Sequence, residues 1–217
     1  MMLLHLIKKD ILIAKNLVLI MALIVIAIPL FFIFAIPVST GLLPFLYMVI
    51  LTEIILLQSI SALEAKNPKA TALLCATPYT RKSVVVAKYI FFILLFAFCY
   101  FAHTILSLVL DPASVLNLTS IMTVLLCGVI VYSVYMPIEI KYGNIKARFV
   151  FMIIILLFSL GPMVFTNFLS GIDFTGLLET FFALNTIARC SALTALSVLV
   201  FGISMAISMR FFSNKEL

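Results

Sequence analysis

The sequence predicts an all-α membrane protein with six transmembrane helices, and three observations support this fold class. Hydrophobic residues make up 65% of the 217 residues, charged residues 10%, and the mean hydropathy is +1.35, whereas a soluble domain is about 45–50% apolar and about 25% charged. Six apolar segments approach the roughly 20 residues that a helix needs to cross the hydrocarbon core. All of the 14 Lys and Arg residues except Arg189 fall on one side of this pattern. We therefore interpret residues 1–217 as a single transmembrane domain.

The N-terminal segment, residues 1–15, is predicted to be an amphipathic helix lying along the membrane interface. Leu3 and Ile7 lie on an apolar face at helical spacing, whereas Lys8 and Lys15 share another face. The alternative is a simple cytoplasmic extension of the first span. A cleaved signal peptide is not favoured, because the apolar stretch that follows is longer than the usual core of about 7–15 residues.

The six predicted spans are joined by short segments whose charges set the orientation. The spans are Leu17–Ile36, Leu42–Leu63, Val84–Leu110, Val115–Ile138, Phe149–Leu169 and Ala188–Met209. The outer loop over residues 170–186 is too short to span and carries Asp173 and Glu179 but no base. Because basic residues near span ends are retained in the cytoplasm, both termini are expected there. Span ends and anionic lipid explain the net charge of +6, so nucleic-acid binding is not favoured.

The connection between the second and third spans, residues 64–82, is the most distinctive inner segment. A helix start at Asn67-Pro68 and an end near Pro78 predict a short helix between them. Leu73 and Leu74 form an apolar knob on this helix. Charged residues flank the knob, namely Glu64, Lys66, Lys69, Arg81 and Lys82. Such a helix suits docking into a groove on a soluble partner, and the alternative is a basic loop resting on anionic lipid.

Three segments on the inner side carry a pattern that can be compared with known families. They are Leu6-Ile7-Lys8-Lys9-Asp10, the stretch from Glu64-x-Lys66-Asn67 through Leu73-Leu74, Pro78 and Arg81-Lys82 to Lys88-Tyr89, and the second inner loop, residues 139–148, with Lys141-Tyr142-Gly143 and Lys146-x-Arg148 after Pro137. Together they resemble the permease subunits of ABC transporters of the type-2 exporter class. Six spans in a chain of this length also fit that family.

The resemblance implies a division of labour between this chain and a motor protein. The first inner loop would form a coupling helix on a separate ATP-binding subunit, and two permease copies, identical or different, would form a dimer. ATP and Mg would bind to the partner ATPase, with no cofactor on this chain. The small six-span exporters that the chain is similar to carry phenol-soluble modulins or antimicrobial peptides, so export of amphipathic peptides is expected.

The sequence also indicates, independently of the resemblance, that ATP binds to another subunit. The G-x-x-x-x-G pattern from Gly171 to Gly176 is followed by Leu177 and Leu178, where a phosphate-binding loop needs Lys and Ser or Thr. The chain is therefore expected to be a non-catalytic subunit. The four cysteines have no metal-ligand spacing, so a metal site is not predicted either.

Two ionisable residues, Glu53 and His103, lie inside predicted spans. A charge at the centre of a span costs about 2.5–3.5 kcal/mol on insertion scales, so Glu53 should face protein or a water-filled cavity. His103 lies in the outer half of its span, at a depth that would let the two meet. They are candidate pathway residues, and the alternative is a protonated Glu53 that fastens helices by a hydrogen bond. A proton-coupled secondary transporter using both residues and a non-transporting immunity protein are the competing functions.

Overall fold

Four long α-helices form most of the structure, which is a computed structural model. It describes residues 23–31, 41–66, 81–110, 116–143, 146–150, 152–153 and 185–213. The long helices are α1 (Leu42–Lys66), α2 (Arg81–Leu110), α3 (Leu118–Tyr142) and α4 (Thr186–Ser213). Residues 23–31 and 146–150 are also helical, and the described ranges contain no strand. The all-α fold class is confirmed for this part of the chain.

Each long helix contains a stretch that is long and apolar enough to cross a membrane. These stretches are Leu42–Leu63, Ser83–Val109, Leu118–Tyr142 and Thr186–Ser213. They coincide with the second, third, fourth and sixth predicted spans, so a multi-pass membrane protein is confirmed. The first span lies partly outside the described residues, and most of the fifth span, the N-terminal helix and most of the outer loop lie outside them. The total of six spans therefore stays a prediction.

Helix α3 ends at a glycine rather than at its proline. The sequence pattern predicted an end at Ile138, next to Pro137, but the helix continues to Tyr142. A proline removes one backbone donor, and the residues after it keep their own helical bonds. Gly143 adopts a φ of 81° and donates its N–H to the carbonyl oxygen of Glu139 at 2.9 Å. This left-handed conformation favours glycine and closes the helix.

Helices α1 and α2 pack antiparallel to each other. The ring of Phe45, near the start of α1, lies 5.1 Å from the ring of His103, late in α2. At the other end, Ile60 of α1 packs in a buried cluster with Ala87, near the start of α2. The chain therefore reverses direction between the two helices, as the predicted topology requires.

Helices α3 and α4 pack parallel to each other and make the most extensive helix contact in the described structure. Ser204 of α4 bonds to the backbone of Ser133 in α3, and farther along both helices the ammonium group of Lys141 lies over the ring of Phe211. The end of α3 and the start of α4 are therefore at opposite ends of the bundle. The fifth crossing that the sequence predicts between α3 and α4 is consistent with this arrangement of the two helices and stays a prediction.

Aromatic side chains from three helices fill the centre of the bundle. The ring of Tyr89 in α2 meets the ring of Tyr132 in α3 edge to face at 5.2 Å and that of Phe201 in α4 at 4.9 Å. Phe92 lies 4.4 Å from Tyr132 by ring centroids. Lipid tails are as apolar as these side chains, so packing geometry and hydrogen bonds, rather than escape from water, hold such helices together.

Candidate functional site

One end of the bundle collects the basic residues of the described chain, and we call it the basic end. The end of α1, the start of α2 and the ends of α3 and α4 meet there. The bases at this end are Lys66, Arg81, Lys82, Lys88, Lys141, Lys146, Arg148 and Arg210. Arg189 lies at the opposite end, near the start of α4. The predicted grouping of basic residues thus holds for the described positions, and the assignment of this end to the cytoplasm stays a prediction.

The first inner loop begins and ends at the basic end. Helix α1 extends to Lys66 and α2 begins at Arg81, so helices include both ends of the predicted loop, residues 64–82, and leave residues 67–80 between them. Those residues lie outside the described structure, and with them the predicted coupling helix with Lys69, Leu73 and Leu74. The backbone of Glu64, Lys66, Arg81 and Lys82 belongs to the flanking helices, but the roles of their side chains stay predictions.

A buried polar cluster near the basic end joins α1, α2 and α3. The carboxylate of Glu139 in α3 accepts a hydrogen bond from the hydroxyl of Ser61 in α1. The same oxygen, Oε1, lies 3.6 Å from Nζ of Lys88 in α2, and the two side chains are only 7% and 15% exposed. The second oxygen, Oε2, has no hydrogen-bond partner within the described residues. We call Lys88 and Glu139 the basic-end ion pair.

The aromatic face of α3 holds the basic-end ion pair in register. The hydroxyl of Tyr132 donates to the backbone carbonyl of Lys88 at 2.9 Å. Tyr135, one turn before Glu139, is 1% exposed and packs in the same core cluster. Sequence reasoning included both charged residues in family-like stretches but gave neither a role. The available signal was opposite charges just inside two adjacent spans, a position where ionisable residues are costly unless paired.

The second inner loop places its cations on aromatic rings. Nζ of Lys141 lies 4.9 Å from the ring centroid of Phe211 and 5.1 Å from that of Tyr142. Nζ of Lys146 lies 5.4 Å from the same Tyr142 ring. Such cation–π contacts contribute about 0.5–1 kcal/mol each at exposed sites. The structure thus brings Lys141 and Lys146 together at the surface, and Arg148 is also exposed there.

A directional chain of hydrogen bonds links α2, α3 and α4. Ser204 donates its hydroxyl hydrogen to the carbonyl oxygen of Ser133 at 2.9 Å, so the hydroxyl of Tyr89, 2.8 Å away, must donate to Ser204. Ser208, 2.9 Å from the same tyrosine oxygen, must then donate to Tyr89. The chain ends on the carbonyl that Pro137 leaves without its helical N–H donor. A serine from a neighbouring helix therefore satisfies the group that the proline frees, as membrane helices require.

The predicted pathway residue Glu53 is enclosed where α1 meets α2 and α3. Its side chain is 3% exposed. A Cβ built on Gly128 of α3 would lie 3.7 Å from Oε2 of Glu53, 3.7 Å from the ring of Phe92 and 3.6 Å from Val49. Its other oxygen, Oε1, has no hydrogen-bond partner in the described part of the chain. A buried polar atom without a partner is uncommon and calls for a specific role.

The structure does not bring His103 to Glu53. His103 is 4% exposed, its Nδ1 lies 3.3 Å from the hydroxyl oxygen of Ser107, and its ring is tilted at 58° to the ring of Phe45. Phe45 precedes Glu53 by eight residues of α1, which is about 12 Å along a helix axis. The two ionisable groups therefore occupy different levels of the bundle. The predicted contact between Glu53 and His103 is not observed. A direct proton transfer between these two residues, as a proton-coupled transporter would need, therefore has no support in this geometry.

An apolar cavity of about 180 Å³ lies between α2, α3 and α4. Its lining includes Phe92, Phe96, Leu125, Val129 and Phe201, with Ser197 as a polar member. Val198 also lines it and is 71% exposed, so the cavity opens at the side of the helix bundle. A partly open apolar cavity of this kind accepts an aliphatic or aromatic group rather than an ion.

Comparison with known proteins identifies the family of this bundle. No curated protein and no solved structure matches the chain. A family model described as "ABC-2 family transporter protein" matches residues 5–213. The match spans both inner loops and all four long helices, and it agrees with a helical, multi-pass membrane protein. The chain therefore belongs to the ABC-2 family of transporter membrane proteins.

Proposed function

We propose that this chain is the permease subunit of a bacterial ABC exporter and that a separate ATP-binding subunit drives it. The observation that carries the proposal is the family match over residues 5–213. The position of the loops supports it, because a soluble ATPase needs a docking surface on one side of the membrane. At the basic end, both inner loops adjoin the same group of helix ends.

The coupling surface in this proposal consists of Leu73 and Leu74 with the surrounding bases. The two leucines would enter an apolar groove on the ATPase, as amphipathic helices do in other complexes. Exposed cations of the second loop, including Lys146 and Arg148, would contact the rim of the same partner. ATP and Mg would be bound by that partner, and a second permease copy would complete the transporter.

The proposed cargo is an amphipathic or antimicrobial peptide. The apolar cavity between α2, α3 and α4 supports this choice, because the apolar face of such a peptide needs an apolar surface within the membrane. Glu53 would contact a cationic group of the cargo if the helices around Gly128 separate during transport. A carboxylate inside the membrane is a common mark of a substrate pathway.

The experiment that tests the proposal is co-purification of the permease with its ATPase from native membrane. The variant Leu73→Asp/Leu74→Asp should insert normally but lose most of the ATPase, because two charges cannot enter an apolar groove. The matched control Ser213→Asp/Asn214→Asp adds the same charge near the end of α4 and should retain the partner. Retention of the ATPase by the leucine variant, or absence of any ATPase from the wild-type preparation, would contradict the proposal.

A further inference from the structure

We propose that the basic-end ion pair makes the start of α2 and the end of α3 move as one unit, so that Lys88 and Glu139 transmit force between the two inner loops. This inference rests on the proposed function, since it concerns how a motion imposed by an ATPase enters the bundle. The two residues are positioning residues. They contact neither ATP nor the cargo in this scheme.

The location of the pair is the first argument. Lys88 lies seven residues after Arg81, the first residue of α2, and seven residues of helix measure about 10 Å. Glu139 is the first residue of the second inner loop, residues 139–148, and lies one turn before Gly143, where α3 ends. A contact between Lys88 and Glu139 therefore joins the helix that follows the first inner loop to the helix that leads into the second inner loop.

The second argument is the construction of α3 around Pro137. On the preceding turn, Ser133 is fixed to α4 by the hydroxyl of Ser204. Beyond the proline, the helix has lost one backbone hydrogen bond and is easier to bend there. The side-chain contacts of Glu139 with Lys88 and Ser61 then hold the last turn of α3 to α2 and α1.

The third argument is that tight packing alone does not explain a charged pair at this depth. Apolar residues of similar volume often fasten helices as well as a buried ion pair, or better. An ion pair differs in being specific for one partner and in failing as a unit when either charge is removed.

The test measures the distance between the two loops directly. Spin labels are attached to cysteines at Ser83, in the first turn of α2, and at Phe149, which is 65% exposed after the second inner loop. The labelled chain is the full permease with its four native cysteines replaced by alanine or serine. Pulsed electron paramagnetic resonance then gives the distribution of label distances in lipid nanodiscs.

With the wild-type ion pair, the distances between the two spin labels should form one narrow distribution. Glu139→Gln keeps the shape and the acceptor for Ser61 but removes the charge, and Lys88→Met keeps the length, so each should widen the distribution at least about twofold. The charge swap Lys88→Glu/Glu139→Lys should narrow it again. Tyr142→Phe, which removes a hydroxyl from a residue that is 51% exposed at the end of α3 and leaves both charges intact, is the matched control and should keep the wild-type width.

The inference would be overturned if both single variants kept the wild-type width of the label-distance distribution. It would also be overturned if the charge-swap variant folded but gave a distribution as broad as those of the single variants. The measurement needs only the permease, so it reports on the ion pair independently of the ATPase. In the complex with the ATPase, Glu139→Gln should keep the partner bound while ATP-dependent survival of cells under a synthetic cationic amphipathic peptide falls about tenfold. Full survival with the partner retained would likewise overturn it, whereas loss of the partner from wild type would refute the proposed function instead.

Discussion

Replacing Tyr89 with phenylalanine should loosen the contact between α2 and α4 without disturbing the aromatic core. The substitution keeps the ring that packs against Tyr132 and Phe201 at 5.2 and 4.9 Å. It removes only the hydroxyl that donates to Ser204 and accepts from Ser208. The change therefore isolates the two central links of the hydrogen-bond chain.

The magnitude follows from the number of bonds lost. Interhelical hydrogen bonds in membrane proteins average about 0.6 kcal/mol and reach about 1.7 kcal/mol, so two bonds give about 1.2 kcal/mol with an upper limit near 3.4 kcal/mol. Ser208 is fully buried at 0% exposure, which leaves no water to replace the tyrosine. It can turn its hydroxyl to a carbonyl one turn earlier in its own helix, and this lowers the cost. We expect a loss of about 1–2 kcal/mol in the free energy of unfolding.

The assay is reversible unfolding of the purified permease by SDS in mixed micelles. Far-ultraviolet circular dichroism is the appropriate signal, because the chain has 0 tryptophans. Tyr142→Phe is the matched control, since Tyr142 is 51% exposed at the end of α3 and its substitution should change the free energy of unfolding by less than about 0.5 kcal/mol. An unfolding free energy for Tyr89→Phe equal to that of the control would refute the hydrogen-bond chain as a source of stability.

Two further predictions concern the junction of α1, α2 and α3. Gly128→Ala should be tolerated, because its Cβ would meet Val49, Glu53 and Phe92 at ordinary contact distances of 3.6–3.7 Å, whereas Gly128→Leu should lose about 1–3 kcal/mol by overpacking; equal SDS midpoints for the two variants would contradict this packing. Glu53→Gln should insert with normal yield but protect cells less well than wild type against a synthetic cationic amphipathic peptide. Glu53→Leu should protect cells no better than Glu53→Gln. Wild-type survival and wild-type ATP turnover in Glu53→Gln would remove Glu53 from the pathway.

The positions of four spans could be predicted because length and apolar composition determine them. Their ends could not, because the charged residues there resemble loop. Glu139 and Lys141 were assigned to a loop, yet α3 includes both and stops only at Gly143. Lys141 is exposed at a helix end that projects beyond the apolar span, where water or headgroups solvate long side chains, whereas Glu139 is buried against Lys88 and Ser61.

The partners of the buried polar groups could not be predicted from one sequence. Pro137 implies that the carbonyl of Ser133 lacks its usual donor, but nothing in the sequence indicates that Ser204 supplies one. The pairing of Lys88 with Glu139 depends in the same way on which helix faces meet. Depth alone suggested a contact between Glu53 and His103, and the antiparallel register of α1 and α2 excludes it.

The parallel arrangement of α3 and α4 has a consequence for biosynthesis. Ser204 is made about 70 residues after Pro137, which at about 5–20 residues per second takes about 3–14 s. During this interval the carbonyl of Ser133 has been synthesised, but the serine that bonds it in the finished protein has not. Until the last helix is in place, another group, such as a water molecule, must satisfy this carbonyl.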